Sequence, residues 1–161
     1  KLLTNLTKQI INRQTFLLIL PCNQQKKKKK IIFHPNQELL QHLGMHLVYM
    51  EAADHDVHTA YISHISHITS FALANTVLQK EKEESAIFEL ASAGFESTVR
   101  LAKSNPDMWV PIFRQNKENV LDVLNEHISQ LRKFKACLEK ENWEYLRELI
   151  QEANNITRIL K

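Results

Sequence analysis

Apolar residues recur at helical spacing along most of this chain, and in short strand-like runs only near its start. Residues 1–14 place Leu2, Leu3, Leu6, Ile10 and Ile11 on one side of a helix. Thr15–Leu20 is a continuous apolar run closed by Pro21, a pattern that suits a buried strand. A polar, low-complexity stretch from Cys22 to Lys30 follows. Asn36–Leu43 reads as a short helix stopped by Gly44, where helices often end. Met45–Met50 reads as a second strand. Strand, short helix, strand is the tail of an α/β sheet. Two strands do not make a stable sheet alone, so this part reads as the remnant of a larger domain.

After Glu51 the pattern is helical throughout. No proline or glycine other than Gly94 occurs between Met45 and Pro106, so a long histidine helix is expected over Ala52–Lys80. From Tyr61 to Leu78 it is apolar nearly all round, the pattern of a buried central helix. Ser63, Ser66, Ser70 and Ala74 form a stripe that invites close approach of another helix. A second helix is expected over Glu83–Lys103, with Gly94 kept for close approach of a neighbour or ligand. Asn105-Pro106 starts a further helix, and Pro111 predicts a break or kink between Met108 and Phe113. Asn119–Lys140 carries the stripe Val120, Leu124, Ile128, Leu131, Phe134 and Leu138. The last helix is capped by Asn142 and carries Trp143, Leu146, Leu149, Ile150, Ala153, Ile156 and Leu160. The two form a hairpin with a tight turn near Glu141.

Composition narrows the class. Two glycines and four prolines in 161 residues agree with a mostly helical protein. The formal net charge is +3, yet Lys26–Lys30 alone supply more than that. The rest is slightly acidic, so the basic balance belongs to one solvated run and argues against a nucleic-acid partner. Cys22 and Cys137 give neither a disulfide framework nor metal spacing, and a cytoplasmic, reducing compartment is the default. No apolar span is long enough for a membrane helix. The chain opens mid-pattern rather than with Met, which suggests a fragment or processed product.

The chemistry concentrates in one place. Four of the eight histidines, His55, His58, His64 and His67, fall between Ala53 and His67. His64 and His67, three apart, share one helix face. Core or surface histidines, a metal site, and a pocket whose imidazoles meet an anionic small molecule are all readings of these residues. A metal needs three or four converging ligands. On a regular helix only pairs converge, and no CxxC or HExxH partner exists, so no metal site is expected.

His55-Asp56 followed by Ala60-Tyr61-Ile62-Ser63-His64-Ile65-Ser66-His67 resembles the "HD…A-x-x-SH-x-x-H" signature of the prephenate dehydrogenase family. The stretch from Ala93 to Trp109 resembles its "G-F-x-x-x-x-R-x-A-x-S-x-P-x-x-W", through Gly94, Phe95, Arg100, Ala102, Ser104, Pro106 and Trp109, with Asn116 at the family's interval. The two blocks stand in the family's order, and the resemblance covers about Gly44 to Leu160.

The resemblance implies a mainly α fold, a helical bundle of the 6-phosphogluconate-dehydrogenase-like dimerisation type, over residues 52–161. Residues 1–51 would be the C-terminal remnant of an α/β nucleotide-binding domain. It implies oxidative decarboxylation of prephenate to 4-hydroxyphenylpyruvate in tyrosine biosynthesis, with NAD or NADP, by a homodimer. Arg100 would bind a substrate carboxylate, His67 with His64 beside it would contact the polar side chain, and Trp109 would wall the pocket. A planar guanidinium suits a carboxylate bidentately, and the apolar neighbours Val99, Leu101 and Ala102 suggest a charge held in costly surroundings. Where the family often has an acidic residue and a threonine before the arginine, this chain has Ser97 and Val99. It has no glycine-rich dinucleotide fingerprint. The family's catalytic histidine lies in an HP-x-x-G motif that His34-Pro35 does not reproduce, so no catalytic residue is expected here and the chain alone should be inactive. The alternative is a non-catalytic helical interaction module using the same apolar stripes.

Overall fold

The computed structural model describes residues 17–21, 42–44, 46–84 and 87–160. The expected helix over 1–14, the lysine run and most of the expected helix before Gly44 lie outside them. The chain divides into two compact units, Lys1–His58 and Thr59–Lys161.

In the first unit, β1 (Leu17–Pro21) and β2 (His46–Met50) pair in parallel, with Leu17 opposite His46 and Pro21 opposite Met50. Parallel pairing of these two strands is what the tail of an α/β sheet predicts. Gly44 has φ +73°, the left-handed conformation that glycine adopts without a Cβ penalty. Helix α1 spans Ala52–Thr59 and buries none of its residues.

The second unit is all helical. A π-helical turn, Ala60–His64, is followed by α2 (Ile65–Glu81), a 3-10 turn (Ile87–Leu90), α3 (Ala93–Val99) and a second 3-10 turn (Arg100–Lys103). Then come α4 (Pro106–Gln115), α5 (Lys117–Glu139), α6 (Trp143–Asn154) and a last 3-10 turn (Asn155–Arg158). Helix α2 is the spine. The segments from Ile87 to Lys103 pack along it, as does α5, and α5 also meets the π turn, α4 and α6.

Asparagines set two of the helix starts. The Asn105 side chain accepts from the Asp107 N–H at 2.9 Å with Pro106 at the first helical position, and the Asn142 side chain accepts from Tyr145 N–H at 3.1 Å. Between α5 and α6 the chain turns at Glu141, as expected, in the left-handed conformation (φ 52°). Asn142 N–H donates to Cys137 O at 2.9 Å and Glu141 N–H to Leu138 O at 3.3 Å, the paired bonds of a Schellman end.

Four expectations need correction. The single helix over Glu83–Lys103 is instead two 3-10 turns and one short α-helix. Ser92 is extended (φ −106°, ψ 172°), so the helix restarts after it. Gly94 is not demanded by close approach within this chain, since an added Cβ would meet only Ser92 Oγ at 3.8 Å. Pro111 lies inside α4 without breaking it. The carbonyl deprived of its usual N–H partner is that of Asp107, in the exposed first turn. The histidine helix is not enclosed in a single chain. Ile62 is 77% exposed, and Tyr61 and Leu78 are exposed too, whereas Ser70 is the buried residue of α2. Ser70 donates to Thr98 O at 3.2 Å, so the small-residue stripe receives the end of α3. The core comprises Ala60, Trp109, Val120, Val123, Cys137 and Leu149, while Leu131 and Leu138 of the expected α5 stripe face outward. Among the described residues no helix is long and apolar enough to cross a membrane.

Candidate functional site

Two histidines and a tryptophan form the most densely joined aromatic group of the second unit. His64 ends the π turn and is 7% exposed, and His67 lies one turn on in α2, half-buried. Trp109, on the first turn of α4, reaches both. Its ring stacks on His67 with centroids 3.6 Å apart and planes 29° from parallel, and it meets His64 edge-on at 5.9 Å. Phe113, one helical turn after Trp109, closes the group at 5.3 Å from Trp109 and 6.1 Å from His64. The shared face that the spacing of three predicts for the two histidines is the face Trp109 occupies.

Each imidazole has a fixed partner. His67 Nδ1 lies 2.9 Å from Ser63 O. A carbonyl only accepts, so in the neutral ring Nδ1 carries the proton and Nε2 the lone pair. His64 Nδ1 lies 3.3 Å from Asn116 Nδ2, and Asn116 Oδ1 accepts from Asn119 Nδ2 at 2.7 Å. The Trp109 indole N–H is buried and has no hydrogen-bond partner among the described residues. An unmet buried donor costs about 1–3 kcal/mol, a cost that an acceptor on a bound ligand or water would offset.

Arg100 is placed differently from its sequence expectation. It opens the 3-10 turn packed on α2, but its own side chain is exposed and has no hydrogen-bond or ion-pair partner among the described residues. The half-buried neighbours are Val99, Leu101 and Ala102, and Lys103, one 3-10 turn on, is exposed like Arg100. The apolar residues face the helix and the cations face solvent, so the charge pays no burial cost here. Of the four residues singled out from sequence, His64, His67 and Trp109 come together. Arg100 shares the α2 scaffold without being bonded to them.

Asn116, Asn119 and Phe113 complete the group; sequence reading placed Asn116 in the second family block but gave none of the three a role in the site. A signal existed for Asn116: it precedes the buried Val120 by four residues, on the same helix face, and is itself 8% exposed. Of the other candidate histidines, His55 contacts Asp56 at 3.0 Å in the first unit, and His58 is exposed. Among the described residues no group of three or more His, Cys, Asp or Glu side chains could hold a metal ion.

Comparison with known proteins finds a family model described as "Prephenate dehydrogenase, dimerization domain" matching residues 51–152. The prephenate dehydrogenase of Bacillus subtilis is 30% identical over 139 residues, 86% of this chain and 37% of that relative. The cyclohexadienyl dehydrogenase of Zymomonas mobilis is 28% identical over 122 residues, 75% of this chain and 42% of that relative. Among solved structures, prephenate dehydrogenase from A. aeolicus in complex with hydroxyphenyl propionate and NAD+ superposes with a TM-score of 0.75 at 30% identity. It covers 89% of this chain and 49% of that one. Synechocystis arogenate dehydrogenase, at 23% identity and TM-score 0.74 over 90% of this chain and 52% of its own, shares the fold. The chain thus spans about half, or less, of the length of these relatives.

Proposed function

The chain belongs to the prephenate dehydrogenase family, through the dimerization domain matched over residues 51–152, and from that premise we propose that it is the substrate-binding and dimerising half of such an enzyme. The reaction is the NAD- or NADP-dependent oxidative decarboxylation of prephenate to 4-hydroxyphenylpyruvate. The observation that carries the reading is the His67–Trp109 stack with its unmet indole N–H. A flat aromatic wall, a hydrogen-bond donor awaiting an acceptor and an imidazole lone pair suit a cyclic dianion with a polar side chain. Arg100, exposed and without a hydrogen-bond or ion-pair partner among the described residues, is available to a carboxylate.

The residues present do not fit a dinucleotide. The two glycines, Gly44 and Gly94, are far apart in sequence and form no glycine-rich phosphate turn. A nicotinamide cofactor accords with the NAD+-bound relative, yet no hydride-transfer step is assigned to this chain's side chains. Their part is to bind and orient the substrate and exclude water from one of its faces. The family model supports oligomerization, and a homodimer through the exposed apolar residues of the π turn, α2 and α5 is the arrangement we favour.

The test is a chimera joining residues 44–161 to the N-terminal half of the Bacillus subtilis relative. Prephenate-dependent NAD reduction by the chimera, with none by the 161-residue chain alone, is the expected result. A folded, NAD-binding chimera that leaves prephenate unchanged would overturn the reading in favour of a non-catalytic helical module.

A further inference from the structure

We infer that Asn116, backed by Asn119, is a positioning residue that holds His64 in the tautomer protonated at Nε2, opposite to that of His67. The functional weight of this rests on reading the His64–His67–Trp109 group as the substrate site, while the assignment itself stands on hydrogen bonds.

Asn116 sits at the junction of α4 and α5 with φ −109° and ψ 29°, and its side chain caps neither helix. It is 8% exposed and runs inward. A primary amide has one accepting end and one donating end. The accepting end is taken, because Asn119 Nδ2 donates to Asn116 Oδ1 at 2.7 Å. With Asn119 donating, the Asn116 Nδ2 end is the one that faces His64 Nδ1, at 3.3 Å, and it donates there. A nitrogen that accepts carries its lone pair there, so the neutral ring of His64 bears its proton on Nε2. In His67 the order is reversed, because the Ser63 carbonyl at 2.9 Å requires a proton on Nδ1.

Two imidazoles three residues apart, both against Trp109, are thereby made chemically unlike. At Nε2, His64 is a donor to whatever acceptor it meets, and His67 is an acceptor. A substrate with one hydroxyl and two carboxylates can be oriented by such a pair, whereas two rings free to exchange tautomers would accept it either way round. Asn119 has a purpose in this scheme that packing does not give it: without its donation the Asn116 amide can rotate and offer oxygen to His64.

Two-bond proton–nitrogen correlation NMR on the 161-residue chain reads the tautomer of each histidine directly. The measurement is made at a pH where the rings are neutral, with His64 assigned by the loss of its signals in His64→Gln. The expected wild-type pattern is Nε2–H for His64 and Nδ1–H for His67. Asn116→Asp offers only acceptors and should move the His64 proton to Nδ1, leaving His67 as it was. Asn119→Ala, which keeps Asn116, should give a mixture of both His64 tautomers, and it carries the test if the aspartate variant does not fold. A wild-type His64 protonated at Nδ1, or a folded Asn116→Asp or Asn119→Ala chain with the wild-type pattern, overturns the inference. Loss of prephenate turnover by the chimera with these patterns intact would remove the substrate-site reading and leave the tautomer assignment standing.

Discussion

His67 lies against the face of Trp109 with ring centroids 3.6 Å apart, joining α2 to α4 across the site. The stack is partly structural, because Trp109 is 7% exposed and belongs to the core. Trp109→Ala should therefore destabilise the chain by about 3–5 kcal/mol, the usual cost of emptying a buried aromatic position. Trp109→Phe keeps one ring on His67 while removing the unmet N–H and part of the bicyclic indole, so some of that loss should be avoided. In the chimera the same phenylalanine should raise the prephenate KM while leaving NAD affinity alone. Denaturant unfolding and steady-state kinetics of both variants check this, and a phenylalanine variant with wild-type KM would leave the indole N–H without a ligand.

The turn at Glu141 offers a stabilising change. A residue with a Cβ occupies a left-handed position (φ 52°) that closes α5 with Schellman bonds. Glycine removes the steric penalty at some cost in unfolded-chain entropy, so Glu141→Gly should gain about 0.5–1 kcal/mol. Glu141→Val, with a branched Cβ, should lose stability. Thermal midpoints ranking glycine above wild type and valine below it are expected, and the reverse order would refute the turn assignment.

The helices most legible in the sequence are those with explicit start signals. Asn105-Pro106 and Asn142 announce α4 and α6 through a side chain that meets an otherwise unpaired N–H, and both bonds are present. The His64–His67 pair was equally legible, because residues three apart share a face whatever surrounds them. The break before Ala93 was not: Ile87, Leu90, Ala91 and Phe95 keep helical spacing through a segment whose backbone is turned out at Ser92. Periodicity records which side is apolar but not whether the hydrogen-bond ladder is continuous. The π turn over Ala60–His64 was hidden for the same reason. The exposure of Arg100 was hidden because apolar neighbours in sequence are not neighbours in space on a 3-10 turn.

Tyr61 gives the second unit a marker in alkaline solution. Its hydroxyl donates to Glu126 at 2.8 Å, linking the π turn to α5. That bond to the carboxylate, with smaller contributions from partial burial and the charges of Glu126 and Asp122, raises the phenol above its ordinary value. A raised phenol favours the folded state below the unfolded value, and that contribution disappears as pH climbs through the folded one, where the phenolate can no longer donate. Ultraviolet titration should show Tyr61 ionising at higher pH in the wild-type chain than in Glu126→Gln, and coincident titrations in wild type and variant would contradict the bond.

Ile62, Leu78, Leu131 and Leu138 leave wide apolar surface on α5 and on the histidine segment of a single chain. Exposed apolar side chains on two packed helices suit an interface between subunits, and obligate interfaces bury on the order of 2,000 Å² or more. Sedimentation at micromolar concentration should give twice the 18.8 kDa chain mass. Ile62→Glu, at a 77% exposed position, should shift the chain toward monomer without loss of helix. A wild-type chain that sediments as a monomer would require another occupant for these residues.

The exposure of Arg100 sets the size of the last expected effect. A guanidinium already in water pays its desolvation only when a carboxylate arrives, so its removal strands no buried counter-charge in the free protein. The appropriate scale is a hydrogen bond to a charged group, about 1.5–3 kcal/mol, and not the larger penalty of splitting a buried pair. At about 1.4 kcal/mol per decade, Arg100→Ala in the chimera should weaken prephenate recognition roughly ten- to a hundredfold. The loss should fall mainly on KM, because a carboxylate remote from the reacting bonds is held alike in the ground and transition states. Arg100→Lys keeps the charge without the two-pronged geometry and should lie between. The effect should shrink as salt rises, since an exposed pair is screened. NAD affinity should stay at the wild-type value in both variants. Prephenate kinetics at low and high ionic strength test the assignment, and an alanine variant with KM within about twofold of wild type at low salt, well short of one decade of free energy, would leave Arg100 a solvated cation with no part in the site.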